Sequence, residues 1–478
     1  MVTIFKKSLF ACLLVAGIFV SEVAFASSDA SAGADHGPAT TLLYMAVIFL
    51  FAALGRLVTR IGQPQVLGEL LVGVLLGNLG LVGIHAFDGI LSSEHIKFLS
   101  DLGVVILLFL VGLESNLYEM KKIGGRAALI ATIGVVVPFV LGAWVVGPWL
   151  LPGLSTNAYL FLGAALTATS VGITARVFKD FGKLKIVEAQ TVLGAAVIDD
   201  VLGLIILAVV TAMATVGAVS LGLIGWIIAK AVLFLVGSIV LGRIFAPKIS
   251  QGFSKIHTGA GLKFAFAIVF ALLYSALAGG IGLAPIIGAF AAGLVLDPVH
   301  FKYFKKPKAA EDLEMHAGFV ADAGHKEELE QKARQHTEKH VEELIEPVGH
   351  FLIPIFFVYT GMNVRLETLF DPKILLVALG ITAVAVVGKY VSGFAAAKGT
   401  NRHIIGFGMV PRGEVGLIFA SIGKEIGVLN NETFSVIVIM VILTTLLTPP
   451  ILAYFLKNKE VSLVKDKNTD PLPAPLRS

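Results

Sequence analysis

Long apolar runs alternate with short polar stretches along almost the entire chain. A run of about 20 apolar residues is long enough for a helix to cross the hydrocarbon layer of a bilayer. The pattern predicts about thirteen such spans, so we expect an all-α polytopic membrane protein. The predicted spans lie near residues 39–59, 64–83, 97–117, 126–150, 157–178, 187–213, 219–243, 263–279, 282–297, 346–364, 373–398, 403–428 and 431–456.

The composition supports a membrane protein. The chain has 478 residues, of which 56% are hydrophobic and 15% are charged, whereas soluble domains carry about 25% charged residues. The net charge of +4 is too small to indicate a nucleic-acid partner. With Cys12 as its only cysteine, the chain cannot form an internal disulfide or a thiolate metal site.

The first 26 residues have the pattern of a cleaved signal peptide. Lys6 and Lys7 form a positive region, residues 9–20 form a short apolar region, and residues 24–26 read Ala-Phe-Ala, a small-x-small cleavage pattern. The alternative is an uncleaved additional helix. Residues 27–38 are polar and rich in Gly, Ser and Ala, and we predict that they form a periplasmic tail.

Lysines and arginines concentrate in one of the two alternating sets of loops. The rich set contains Arg56, Arg60, Lys121, Lys122, Arg126, Lys179, Lys183, Lys185, Arg243, Lys248, Lys255, Lys263, Lys302, Lys305, Lys306, Lys308, Lys398, Arg402 and Lys457. Because cytoplasmic loops carry the excess of positive charge, this set is predicted to be cytoplasmic. The N-terminus is then periplasmic, and the hydrophilic loop at 298–345 and the tail at 458–478 are cytoplasmic.

The spans also divide into two sets of six around a linker. Spans one to nine occupy residues 39–297 and spans ten to thirteen occupy residues 346–457. If spans one to six and eight to thirteen are repeats, the single linking span seven inverts the second set relative to the first. Inverted repeats are a common plan of transporters, which bind their substrate near the midplane. We therefore predict two inverted six-helix repeats.

Two adjacent aspartates lie in the middle of the sixth span, within GAAVIDDVLGLIILAV. A carboxylate at this depth costs on the order of 3 kcal/mol or more unless it faces water or a partner, and such acids commonly bind cations or carry protons. Asp199 and Asp200 are therefore the first candidate site. Lys389, in the eleventh span, lies at a similar depth, and buried charges tend to pair. We expect Lys389 to pair with one aspartate and the second aspartate to hold a cation.

Two further spans carry polar or helix-breaking residues at corresponding positions. Span five has Thr167, Thr169 and Ser170 at mid-depth, and span twelve has Pro411 among several glycines. Paired interruptions of this kind predict two broken helices at a transport site. Carboxylate and hydroxyl oxygens, with unwound carbonyls, suit a hard cation such as Na⁺. The alternative for the hydroxyls is a bond back to their own helix.

Three other charged residues are weaker candidates. Glu69, in span two, lies about one and a half turns from the predicted cytoplasmic face. Arg412 and Glu414 lie in span twelve and are too close in sequence to stack on one helix face. For Arg412 and Glu414 we favour a structural or pH-sensing role over direct ligation of the cation. For Glu69, guiding cations inward and an interfacial role are equal alternatives, beside a structural or pH-sensing one.

The hydrophilic insert contains the segment KEELEQKARQHTEKHVEELIEP, which predicts a charged helix ended by Pro347. Five histidines lie in or beside it: His316, His325, His336, His340 and His350. Histidine titrates near neutral pH, so a pH-sensing or dimer-contacting element is one interpretation. A solvated helix on the cytoplasmic face is the other, and we favour it.

The chain as a whole resembles the monovalent cation:proton antiporter superfamily, in its electrogenic branch typified by NapA-like sodium/proton antiporters. The resemblance covers nearly all of the chain after the signal segment. It rests on QPQVLGELLVGVLLG, LGVVILLFLVGLESN, LTATSVGITARVFKD, GAAVIDDVLGLIILAV, the span with Lys389, and MVPRGEVGLIFASIG.

The resemblance implies a homodimer in which each protomer has a dimerisation domain and a six-helix core with two broken, crossing helices. It implies that Asp200 carries the proton or the cation, that Asp199 pairs with Lys389, and that Thr169 lies at the crossover. The Asp-Asp sequence with Lys389 further implies electrogenic exchange. The His-rich insert departs from the short loop usual in the family.

These features together lead us to expect a bacterial inner-membrane antiporter rather than an enzyme. It would exchange Na⁺, with Li⁺ as a second candidate ion, for protons by alternating access and would need no cofactor. The nearest alternative is a K⁺/H⁺ antiporter, because the ligand types do not fix the size of the ion. A sodium-driven organic-anion symporter, an ion channel and a non-transporting receptor are more distant alternatives.

Overall fold

The computed structural model describes residues 38–469, apart from residues 62, 86, 115–124, 185, 217–220, 297–300, 302, 321–322, 366 and 368–371. The predicted signal peptide, residues 27–37 of the predicted tail, and residues 470–478 lie outside the described residues. All regular secondary structure in the described part is helical, in agreement with the predicted all-α class.

The α-helices follow one another with short connections. In chain order they are α1 (Pro38–Gly55), α2 (Gln65–Gly77), α3 (Asp88–Ser92), α4 (Glu94–Glu114), α5 (Gly125–Val140), α6 (Val146–Leu150), α7 (Thr156–Ala165), α8 (Val171–Asp180), α9 (Val187–Val216), α10 (Leu221–Ile256), α11 (Ala260–Gly280), α12 (Pro285–Val295), α13 (Lys308–Phe319), α14 (Ala323–Met362), α15 (Pro372–Tyr390), α16 (Arg402–Gly408), α17 (Glu414–Glu425) and α18 (Asn431–Thr469). A π-helical turn, Leu141–Val145, joins α5 to α6, and a 3₁₀ turn, Val391–Ala395, extends α15.

Eight helices in the described part of the chain are long and apolar enough to cross a bilayer, or up to nine if the bent pair within α10 forms one span. Helices α2 and α12 are apolar but shorter, with 13 and 11 residues. The protein is therefore a multi-pass membrane protein. The total of thirteen spans stays a prediction.

The two helices expected to be broken are both interrupted. The first stops at Ala165 and restarts at Val171, and the second stops at Gly408 and restarts at Glu414. Each begins with a side-chain cap: the Ser155 hydroxyl accepts from the amide of Ala158, and the Asn401 side chain accepts from two amides of α16. Such caps satisfy amides that have no partner within the helix.

The chain folds into two compact units. The first consists of the described residues of Met1–Glu114 and Leu235–Leu366. In this unit α4 packs against α12 and α14, and α14 also packs along α2. Gly112 of α4 and Gly293 of α12 lie so close that a Cβ atom on either would overlap the backbone of the facing helix. Small residues at such contacts let membrane helices approach closely.

The second unit consists of the described residues of Ser115–Phe234 and Glu367–Ser478. Buried apolar side chains from α5, α8, α9, α16 and α18 form a continuous core, represented by Ile130, Phe178, Val192, Ile405 and Leu452. This core holds the aspartate helix α9 against α16, the first half of the second broken helix. Both broken helices and both aspartates belong to this unit.

The prediction that Pro347 ends the charged helix of the insert is wrong. Helix α14 continues from Ala323 through Pro347 and Pro354 to Met362. A proline within a helix removes one backbone hydrogen bond and costs about 3 kcal/mol. Helix α14 has 40 residues and packs against α2, α4 and α13, and we attribute its continuity to this packing.

Candidate functional site

Helix α9 carries Asp199 and Asp200 near its middle, and both side chains are buried, with residue exposures of 1% and 7%. Lys389 lies in the last turn of α15 and is closed to solvent. Its Nζ donates to Asp199 Oδ1 at a distance of 2.5 Å. A cation in the last turn of a helix also interacts favourably with the helix dipole. The structure therefore brings Lys389 together with Asp199.

Asp199 has a second carboxylate oxygen that the lysine does not use. In the described part of the chain, no donor meets hydrogen-bond geometry at the buried Oδ2 of Asp199, although Thr169 lies beside the carboxylate. A buried carboxylate oxygen without a donor is costly unless a cation, a proton or water reaches it. Asp200 lies about 100° further around the helix, so the two carboxylates leave α9 in different directions.

The hydroxyl groups of Thr167 and Thr169, two of the three hydroxyl residues of the first break, have different hydrogen-bond partners. The Thr167 hydroxyl donates to the carbonyl of Ala164 at 2.7 Å, which is a bond back to its own helix. The Thr169 hydroxyl reaches the second break and donates to the carbonyl of Met409 at 3.1 Å. All three residues are buried. The structure thus joins Thr169, but not Thr167, to the second broken helix through a side-chain hydrogen bond.

The two breaks also meet through their backbones. The amide of Ser170 donates to the carbonyl of Pro411 at 2.8 Å. A Cβ atom added to Gly413 would lie 2.7 Å from the Ser170 Oγ and 2.8 Å from its Cβ. Glycine at position 413 therefore allows the two interrupted segments to approach closely.

Arg412 lies within the second break and is fully buried. Its guanidinium donates to the carbonyl of Val410 at 3.2 Å and to the carbonyl of Ala385, in α15, at 3.0 Å. Since Val410 lies just beyond the end of α16, the positive charge faces the end of the helix where carbonyls have no partner within it. Arg412 thus ties the second break to α15, the helix that carries Lys389.

Glu414 is the first residue of α17 and is only partly buried. A carboxylate in the first turn of a helix is stabilised by the unpaired amides there. The Ser170 side chain lies beside the Glu414 carboxylate. The sequence analysis assigned Arg412 and Glu414 to one helical span. In the structure the span is interrupted there, and the two residues flank Gly413 at the break.

Sequence reasoning missed three residues that fix this region. The Thr174 hydroxyl donates to the carbonyl of Gly408 at 2.7 Å, and the Thr445 hydroxyl donates to the carbonyl of Arg412 at 2.6 Å. The Glu188 carboxylate, at the start of α9, accepts from the amide of Asn401 at 2.9 Å. In the sequence, Glu188 is detectable as an acid at the start of an apolar span, whereas single threonines in apolar helices give no such signal.

The remaining candidate, Glu69, belongs to the first unit. It is 1% exposed, and its carboxylate accepts a hydrogen bond from the Gln65 side chain at 2.6 Å. The five histidines of the insert and its flanks also belong to this unit, on α13 and α14. His340 differs from an exposed surface histidine because its Nδ1 lies 2.8 Å from Nζ of the buried Lys263.

The site therefore combines buried carboxylates, a buried ammonium, a buried guanidinium and hydroxyl oxygens around two interrupted helices. Oxygen donors of this kind suit a hard cation, and the unused oxygen of Asp199 is available to one. The same carboxylates can accept a proton. The arrangement can bind a small cation and a proton in competition.

Comparison with known proteins gives the same classification. The family model described as "Sodium/hydrogen exchanger, transmembrane" matches residues 45–323 and 326–458. The high-affinity Na⁺/H⁺ antiporter NhaS3 of Synechocystis sp. is 35% identical over 475 residues, covering 91% of this chain and 94% of the relative. The Na⁺/H⁺-K⁺ antiporter GerN of Bacillus cereus is 34% identical over 430 residues, covering 88% of this chain and 98% of the relative.

A solved structure shares the fold. The sodium proton antiporter MjNhaP1 of Methanocaldococcus jannaschii superposes with a TM-score of 0.60 at 17% sequence identity, covering 87% of this chain and 99% of that one. The superfamily inferred from the sequence is confirmed by these matches. The family model spans most of the chain, and the relatives align over nearly their full length. The protein therefore belongs to the sodium/hydrogen exchanger family.

Proposed function

We propose that the protein is a secondary active transporter that exchanges Na⁺ for H⁺ across a bacterial inner membrane by alternating access. The observation that carries the proposal is the pair of buried carboxylates on α9, one of them bonded to Lys389. Family membership and the names of the relatives, which include several Na⁺/H⁺ antiporters, support the same function.

In this proposal Asp200 is the residue that binds the proton and the Na⁺ ion in turn. On one side of the membrane the Asp200 carboxylic acid releases its proton, and the resulting carboxylate binds Na⁺. On the other side the ion leaves and a proton takes its place. Asp199, Thr169, Ser170 and Thr167 supply further oxygen atoms near the ion, in agreement with the preference of hard cations for oxygen ligands. At the Asp200 carboxylate, each cycle thus exchanges one proton for one metal ion.

Lys389 makes electrogenic exchange the preferred form of this mechanism. The Asp199–Lys389 pair gives the site a second group whose charge can change when an ion binds. If more protons than Na⁺ ions move per cycle, transport responds to voltage with about 2.3 kcal/mol per net charge per 100 mV. Arg412 and Glu414 act in this proposal as fixed charges that hold the second break, and Glu69 as a structural or pH-sensing acid.

K⁺/H⁺ exchange is the second candidate function. It is favoured by the printed name of one relative, GerN, which includes K⁺. Na⁺ is the first choice because NhaS3 and MjNhaP1, the other two proteins compared above, are named for sodium alone. If exchange with K⁺ is as fast as exchange with Na⁺, or faster, in one vesicle preparation, this order is reversed. The same series of measurements includes Li⁺.

The orientation and assembly of the protein follow as part of the proposal. The proposed orientation, with a periplasmic N-terminus and a cytoplasmic C-terminus, is supported by the excess of Lys and Arg in one set of loops. We assign the contact surface of a proposed homodimer to the first unit. Cysteine-accessibility labelling at each terminus tests the orientation, and the mass of the detergent-solubilised protein tests the dimer.

The transport proposal is tested with purified protein in vesicles that have an acidic lumen and contain a pH-sensitive dye. Addition of external Na⁺ releases lumenal protons through the wild-type protein, and we expect Asp200→Asn to abolish this release. Glu432→Gln, which neutralises an exposed carboxylate in the same unit, is the matched control and keeps full activity. Undiminished exchange by Asp200→Asn would refute the site.

A further inference from the structure

Five consecutive carbonyl groups in the second break each accept a hydrogen bond. The carbonyl of Gly408 accepts from Thr174, that of Met409 from Thr169, and that of Val410 from Arg412. The carbonyl of Pro411 accepts from the Ser170 amide, and that of Arg412 accepts from the Thr445 hydroxyl. An interrupted helix normally exposes carbonyls that must find partners elsewhere. Here the protein supplies a donor to each one.

The donors come from different parts of the second unit. Thr169, Ser170 and Thr174 belong to the first broken helix, and Thr445 belongs to α18. Thr174 and Thr445 are buried, with exposures of 0% and 4%. The second break is therefore fixed from both sides, by α8 and by α18.

Thr445 differs from its neighbours on α18 in the use of its hydroxyl. Thr444 and Thr448 donate to carbonyls of their own helix, Met440 at 2.8 Å and Thr444 at 2.7 Å. This is the usual bond of a threonine in a membrane helix. Thr445 instead donates across to the carbonyl of Arg412 at 2.6 Å. Its hydroxyl thus joins α18 to the break.

We propose that Thr445 and Thr174 are positioning residues that hold the second break in place, and thereby fix Thr169 and Ser170 for cation binding. Each of the five carbonyls accepts a hydrogen bond from a protein donor. Their role is to anchor the Thr169 hydroxyl and the Ser170 amide. The inference rests on the proposed function and assigns a second layer of residues to the same site.

The first test measures Na⁺-dependent proton release by Thr445→Val, which keeps the size of the side chain and removes the hydroxyl. We expect the Na⁺ concentration for half-maximal exchange to rise about threefold to tenfold, the range expected for one lost neutral hydrogen bond. The maximal rate per folded molecule stays close to that of the wild type. Thr445→Ser, which keeps the hydroxyl, restores the half-saturating concentration, and Thr174→Val gives the same change as Thr445→Val.

Thr448→Val is the matched control because it removes a buried hydroxyl from the same helix, one that bonds only to its own helix. It leaves the half-saturating Na⁺ concentration unchanged. If Thr445→Val lowers only the amount of folded protein, or if Thr448→Val has the same effect as Thr445→Val, the role of Thr445 is merely structural and the proposal is overturned.

Hydrogen exchange provides a test that does not depend on transport. The Ser170 amide is bonded to the carbonyl of Pro411, so loosening the break exposes this amide to exchange. We expect faster exchange in a peptide covering residues 166–172 for Thr445→Val and Thr174→Val, and wild-type exchange for Thr448→Val. Unchanged exchange in all three variants would overturn the positioning role, whereas an inactive wild type with the expected exchange would overturn only the proposed function.

Discussion

Lys389 and Asp199 are 190 positions apart in the sequence, yet their Nζ and Oδ1 atoms lie 2.5 Å apart and both side chains are closed to solvent. A buried ion pair gains attraction but loses the hydration of two charges, so its net stabilisation is small. The loss of one partner alone is much more costly, because the other charge stays buried and unpaired. Because of this difference, the stability of single and double replacements can be measured and compared.

Single and double replacements of the pair should therefore differ in stability. Asp199→Asn leaves the Lys389 ammonium without its counter-charge, and Lys389→Gln does the reverse. We expect each to destabilise the protein by roughly 3–5 kcal/mol, and the double replacement to cost clearly less than the sum. Thermal unfolding in one detergent at one pH measures all three. Strictly additive losses would show that the two groups do not interact in the folded protein.

Lys389 should also determine the response of transport to voltage. In vesicles with a potassium diffusion potential, we expect the wild-type rate to change with the imposed potential. The rate of Lys389→Ala should respond less, because that group no longer contributes to charge movement. Lys398→Gln, which removes an exposed positive charge from the same unit, serves as the control. An unaltered voltage response in Lys389→Ala would count against a role of the ammonium in coupling.

The charged centre of the site was predictable from the sequence for a physical reason. Asp199, Asp200 and Lys389 are rare residue types in long apolar spans, so each one stands out and the three are expected to meet. The interruption of the second broken helix was predictable as well, because Pro411 and its neighbouring glycines disfavour a continuous helix. The first interruption was predicted from the polar residues Thr167, Thr169 and Ser170 at mid-depth. The total of thirteen spans and the roles of the candidate residues stay predictions.

The supporting residues were not predictable in the same way. Thr444, Thr445 and Thr448 are chemically alike and lie on one helix, but only Thr445 of these three bonds across to the break. That choice depends on which face of α18 meets the break, which is a property of the packed unit. The wrong boundary at Pro347 has a similar origin. A local rule for proline ignores the packing along the whole of α14.

Gly413 should tolerate no larger residue. A Cβ at this position would overlap Ser170, so the two breaks would have to separate. We expect Gly413→Ala to reduce Na⁺-dependent exchange at least tenfold per folded molecule, since displacements of about 1 Å near a reacting centre can have effects of about a hundredfold. Gly225→Ala is the control, because a Cβ there meets no atom of the described residues within 4 Å. Wild-type exchange by Gly413→Ala would mean that the breaks can move apart freely.

Arg412 should be sensitive to the shape of its side chain as well as to its charge. The guanidinium serves the carbonyls of Val410 and Ala385 at the same time. Arg412→Gln removes the charge and shortens the reach, so at least one buried carbonyl loses its donor at a cost of about 1–3 kcal/mol. Arg412→Lys keeps the charge without the planar fork and should also destabilise the protein. Thermal unfolding compares both with the wild type, and full stability of Arg412→Lys would show that charge alone suffices.

The contact between His340 and Lys263 supports a different prediction in the first unit. The Lys263 ammonium is buried, lies 2.8 Å from His340 Nδ1 and stands 5.2 Å from the centre of the Phe301 ring. At this distance the imidazole acts as the acceptor, which requires its neutral form. His340→Leu removes the acceptor and should lower the free energy of unfolding by about 1–3 kcal/mol.

His340→Gln keeps an acceptor at that position, so its loss should be smaller than that of His340→Leu. His336→Leu, at a more exposed histidine on the same helix, should have little effect. Thermal unfolding in detergent measures the three variants side by side. Equal losses for His340→Leu and His336→Leu would mean that the hydrogen bond to Lys263 contributes nothing, and that the insert is a solvated helix along its whole length. A loss confined to His340→Leu would show that the folded insert depends on a neutral imidazole, and protonation of that ring would then weaken the contact by bringing two positive charges together.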